Sequence, residues 1–160
     1  MQSKYAPFII KTHCFAHRLN LTIIDSIKSN QGLIKLRDNF GSLYNFVSAS
    51  SKRTVTLRAI QYILEEPQLY IKEPHSIRWL GLNAAVYAVY MCYRSVLATL
   101  SKLASEKDDA AKGLHKYFSN YKVALFIAMM LDIHSDLAVL SQNLQKQDLL
   151  FSDTPVGWGL

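Results

Sequence analysis

Cys14-Phe15-Ala16-His17 has the Cys-x-x-His spacing of zinc sites, and His13 stands directly before it. A structural zinc ion takes four ligands. The other candidates, Cys92, His75, His115 and His134, are scattered without a second paired spacing, so the residues imply no metal and no cofactor. His13, Cys14 and His17 themselves straddle a strand end and point in different directions. A second chemistry would set Cys14 as nucleophile with His17 as its base. Nothing in the pattern supplies an orienting third group or an oxyanion hole for it. Some sixty residues later, Arg78-Trp79 joins a guanidinium to the largest flat side chain available. Trp79 opens an apolar helical stripe, and a pure packing role is open to it.

The elements that would position these groups are nearly all helical. Phe8 to Cys14 reads as one short strand, β-branched residues following Pro7. From Phe15 the apolar spacing turns helical, with Phe15, Leu19, Ile23 and Ile27 stepping by four to about Ser29. A second helix carries Leu33, Leu36, Phe40, Leu43, Tyr44 and Val47. A third carries Val55, Ala59, Tyr62 and Ile63 before Glu65-Glu66-Pro67. Leu69 to His75, between Pro67 and Pro74, is a loop. Ser76 then caps the longest helix, whose stripe runs through Trp79, Leu82, Val86, Tyr90, Tyr93, Leu97, Leu100 and Ala104. A short helix over Ala110 to Phe118 and a long one from about Tyr121 to Gln147 follow, with an irregular tail from Phe151. The fold class is mostly α: one edge strand leading into a bundle of about six helices. The lone strand has no partner in this sequence, which suggests that the chain begins partway through a larger domain.

Composition narrows the function classes. A chain of 160 residues, half of them hydrophobic, is long enough for one domain with a real core. Its two cysteines make no disulfide framework, and without a secretory signal the expected compartment is reducing, the nucleus or else the cytoplasm. The longest apolar run, Val123 to Leu131, falls short of the roughly 20 residues of a membrane span, so no membrane partner is expected. Residues 1 to 60 carry nine Lys and Arg against Asp25 and Asp38, while residues 61 to 160 carry nine against ten acids. A basic half beside a neutral one makes an oriented field that would draw in a phosphate backbone or another acidic surface. Solvation of helix faces alone would use the same residues.

The segment Cys14-x-x-His17-x-Leu19-Asn20, followed by Ile77-Arg78-Trp79-Leu80, resembles the hAT superfamily of transposases and the host proteins derived from them. In that family the first segment closes a core strand of an RNase H-like domain and opens the helix behind it. An all-α insertion follows and carries the Arg-Trp pair. The resemblance therefore implies a partial RNase H-like fold: residues 1–29 from its core, 30–150 from the helical insertion and 151–160 an irregular tail. Cys14 would be a small buried residue, and His17 would face the active-site side. Trp79 would stack on a base flipped from the duplex, with Arg78 on a phosphate. The stretches Tyr44 to Arg53 and Val139 to Gln145 look like segments of host-protein relatives.

The chain departs from that family where chemistry is concerned. Its transposases cut with three acidic residues holding two metals. The first two lie before the Cys-x-x-His segment, where this chain has no acid ahead of Asp25, and the third lies beyond the insertion. Asp25, Asp132 and Asp136 match none of them. The expected function is thus a non-catalytic fragment of a hAT-type transposase, or of a transposase-derived nuclear protein, that binds DNA. His17, Arg18, Lys52, Arg53, Arg78 and Trp79 are the expected contacts. The alternatives are a helical module that binds protein partners and a truncated product without a selected function.

Overall fold

The computed structural model describes residues 15–74 and 79–144, and these form seven helices with no strand among them. They are α1 (Phe15–Ser29), α2 (Gln31–Ser48), α3 (Ser51–Ile63), α4 (Trp79–Met91), α5 (Tyr93–Ser105), α6 (Asp109–Phe118) and α7 (Tyr121–Asn143). The mostly helical class expected from the periodicity is what the chain adopts. The expected strand Phe8 to Cys14, the start of the loop-to-helix junction at residues 75–78 and the tail from residue 151 lie outside the described residues.

Polar caps set the helix starts. Asn30 accepts from the amides of Gly32 and Leu33, Ser50 from Arg53, Asp108 from Ala110 and Ala111, and Asn120 from Lys122. Each side-chain oxygen satisfies an amide that has no partner within its helix. Two of the ends are Schellman turns built without glycine. At the end of α3, the Glu66 amide reaches Gln61 O and the Glu65 amide reaches Tyr62 O, with Glu65 at φ 54°. At the end of α5, Asp108 reaches Leu103 O and Lys107 reaches Ala104 O, with Lys107 at φ 69°. A β-carbon in the left-handed region costs about 1 kcal/mol, so Lys107→Gly, at an exposed position, should stabilise the fold by roughly that amount in urea unfolding. No gain would mean that the Lys107 side chain makes a compensating contact.

The core forms among α2 to α7. Leu36, Phe40, Leu43, Leu57, Val86, Val89, Val96, Leu100, Phe118 and Ile127 are essentially sealed from solvent. The Phe40 and Phe118 rings stack with centroids 5.8 Å apart, and Tyr117 meets Phe118 edge-on. In the tertiary packing α5 lies on α6 and α3, α4 on α7, and α2 on α3 and α6, while α1 rests mainly on α2.

Three expectations are corrected. The single long helix expected from residue 76 to 104 is two helices, α4 and α5, with Cys92 between them at φ −122° and ψ 35°. The cause is remote in sequence: the Glu66 carboxylate accepts the Ser95 amide at 2.9 Å and the Ser95 hydroxyl as well, which gives α5 an N-terminal cap of its own. The apolar stripe expected on α3 points outward. Val55, Tyr62 and Ile63 are exposed, and the inner face is Arg53, Thr54, Leu57 and Gln61, whose polar members are hydrogen-bonded inside. On α1 the expected inward Phe15 is exposed, and on α4 so is Tyr90, while Ala85 and Val89 fill the core.

A candidate anion groove and the clasp beside it

Of the six expected contact residues, His17 and Arg18 lie exposed in the first turn of α1. Lys52 and Arg53 lie in the first turn of α3. Arg78 is outside the described residues, and Trp79 is the first residue of α4, with its side chain also outside them. The structure thus places two pairs on two helices. It turns Arg53 inward: one guanidinium nitrogen meets Asp108 Oδ2 at 2.7 Å, another donates to Phe46 O at 3.1 Å, and the plane lies 3.9 Å from the Phe46 ring centroid. Arg53 therefore ties the end of α2 to the start of α6. Lys52 reaches Glu106 at 3.2 Å, a solvated pair worth little.

Much of the basic charge in the first sixty residues is answered in the same way. Lys28 pairs with Asp25 and Arg37 with Asp38, while Lys52 and Arg53 take Glu106 and Asp108 from the other half of the chain. The sequence asymmetry is partly cancelled by folding.

Cations without carboxylate partners gather elsewhere, on both halves of the chain. Gly32 and Lys35 of α2, Gly113, Lys116 and Tyr117 of α6, and Asn120, Lys122, Val123 and Phe126 at the start of α7 line a groove of about 470 Å³. Among the described residues no carboxylate pairs with Lys35, Lys116 or Lys122, and none lines the groove. Lys35 lies 5.9 Å from the centroid of the Tyr117 ring, which forms the apolar floor together with Phe126. Burial, and the nearby Tyr93 behind it, push the Tyr117 hydroxyl up, so it stays a phenol able to donate. Gly113 leaves its wall bare: a β-carbon there would meet nothing within 4 Å. The groove gathers three lysines around an aromatic floor, a lining suited to an anion with several oxygens. Sequence reasoning missed it because the three lysines come from three helices. Lys116 and Lys122 also sit in the half whose net charge is near zero.

The remaining titratable groups in the interior have structural duties. Burial pushes the Glu66 carboxyl up, but the Ser95 hydroxyl and amide and the Arg94 guanidinium outweigh it and hold it below the usual range. Arg94 bridges Glu66 and Leu64 O, so α3, the loop and α5 are joined at one point. Tyr93 donates its hydroxyl to Phe118 O at the end of α6. Cys92 is buried, its thiol is pushed up to about 11 by burial, and its S–H is directed at Ala88 O, so it is a protonated core residue at neutral pH. No group of three or more His, Cys, Asp or Glu converges among the described residues.

No family model matches the chain, and no solved structure matches it either.

Proposed function

We propose that this chain is a non-catalytic, DNA-binding helical module of a nuclear protein of hAT-transposase descent, corresponding to the edge of an RNase H-like core and the helical insertion. Its duplex-binding surface is the groove lined by Lys35, Lys116, Lys122 and Tyr117. The observation that carries the reading is the convergence, among the described residues, of three lysines without carboxylate partners beside an aromatic floor, in a groove that no described carboxylate lines. Such a groove recognises phosphate and carries no sequence code, so binding should be general for duplexes and strongly salt-dependent. His17, Arg18, Arg78 and Trp79 are the family-implied additions to that surface, and Lys52 and Arg53 are secondary to it because acids already hold them.

Fluorescence anisotropy with a labelled duplex tests this. Three phosphate contacts predict a slope of log affinity against log salt of roughly −3. Lys35→Glu with Lys116→Glu should weaken binding by about a hundredfold and flatten the slope by about two. Lys52→Ala, which gives up an exposed pair, should cost only a few-fold. A double variant that binds like wild type would overturn the assignment.

A further inference from the structure

One face of α7 turns away from the core and shares with the groove only Lys122, at its N-terminal end. The helix commits Ile127, Met130, His134 and Ser141 to the interior. Its opposite side exposes Leu125, Met129 and Ile133, with fractional exposures of 66%, 46% and 44%. At 3.6 residues per turn, Lys122, Leu125, Ile133 and Asp136 all project within about 40° of the direction of Met129. The face is thus apolar at its middle, with exposed Asp132 along one border about 60° from Met129, cationic at its N-terminal end and anionic at its C-terminal end. Lys122 and Asp136 are both exposed, and no ion pair engages either one among the described residues.

We propose that this face binds a second copy of the chain, α7 against α7 and antiparallel, with the two-fold axis at Met129. This goes beyond the DNA reading. The occupant follows from self-complementarity. Residues equidistant from Met129 face each other in that pairing, so Leu125 meets Ile133 of the other copy and Lys122 meets its Asp136. Each Asp136 also lies against the positive N-terminal turn of the opposite helix, the favourable end of the dipole. A two-fold contact needs one patch that satisfies itself, and this one does so in both packing and charge. A parallel pairing would set Lys122 against Lys122 and Asp136 against Asp136. Within one helix these two residues are about 21 Å apart, too far to pair with each other.

Sedimentation equilibrium of the 160-residue chain without DNA reads the prediction, with circular dichroism confirming that each variant keeps its helix. Wild type should shift from monomer to dimer as concentration rises. Met129→Lys places two like charges on the axis and should weaken the dimer by about a hundredfold or more. Lys122→Asp and Asp136→Lys should each weaken it by roughly tenfold, and the two together should restore it. α7 is also long and apolar enough to cross a membrane by length and composition, so co-sedimentation with neutral lipid vesicles is the competing outcome. A chain that stays monomeric, charge variants that do not rescue each other, or uptake of a monomer by vesicles would each overturn the proposal. The Lys35 and Lys116 result would stand in any of those cases, since neither residue is on this face.

Discussion

Asp108→Ala should cost the fold roughly 3 kcal/mol, read as a lowered urea midpoint with an unchanged slope. One residue does three things at this point, two of them through its carboxylate. Its Oδ1 caps α6 through the amides of Ala110 and Ala111, at 3.1 and 3.2 Å. Its Oδ2 holds Arg53 at 2.7 Å, and its backbone amide closes the turn that ends α5. Losing the cap alone costs about 1–2 kcal/mol. The half-buried Arg53 then keeps only the Phe46 carbonyl and ring, an uncompensated charge that adds a cost of the same order. Asp108→Asn separates the two effects, because the amide oxygen still caps while the charge is gone, and it should lose about half as much. Equal losses in the two variants would mean that the ion pair carries nearly everything.

Acid should act on the same site from a defined direction. The amide of Ala111, and after it the Arg53 guanidinium, hold the Asp108 carboxyl below its ordinary value of 3.8. A carboxyl whose folded value is depressed binds its proton more readily when unfolded. Its stabilisation is therefore complete above the ordinary value and is lost as pH falls through the folded one. Glu66 works in the same sense, held down by Ser95 and Arg94 against its burial.

His134 should give the second large effect, in a different pH window. It is 1% exposed on the inner face of α7, and burial pushes its imidazole from the ordinary 6.5 down to about 4. The neutral ring is the folded form, and the unfolded chain takes up the proton first. Stability is then full above about pH 6.5 and should fall by on the order of 3 kcal/mol by pH 4. His134→Leu, similar in volume, should remove that decline and leave the carboxylate-driven loss at lower pH in place. The measurement is urea unfolding of both proteins at several pH values between 7 and 4. Parallel curves would show that another group carries the transition.

Both effects bear on the proposed surfaces. Asp108 fixes the start of α6, which carries Lys116 and Tyr117 into the groove. His134 anchors the inner side of the helix whose outer side carries Met129. A chain weakened at either point should lose binding or self-association through unfolding, with no change in the contacts themselves. Measurements on the groove and on the α7 face are therefore best made near neutral pH.

The sequence alone determined the helical class and most helix limits, because these depend on local physics. Asn30, Ser50, Asp108 and Asn120 cap the amides just after them, and the stepping of Leu36, Phe40, Leu43 and Val47 by three or four residues marks a face whatever it packs against. The tertiary structure decided what depends on partners far along the chain. Glu66 divides one apolar stripe into α4 and α5 because a carboxylate from another loop reaches the Ser95 amide. Arg53 and Gln61 line the inner face of α3 because Asp108 and Phe46 hold the guanidinium and Leu69 O accepts from the Gln61 amide nitrogen there, so polar residues occupy positions that periodicity reads as solvent. Lys35, Lys116 and Lys122 share a groove because α2, α6 and α7 pack together, whereas the adjacent Lys52 and Arg53 are drawn to acids more than fifty residues away. Charge counted along a chain gives a total; which charges remain free for a ligand is settled only when folding has paired the others.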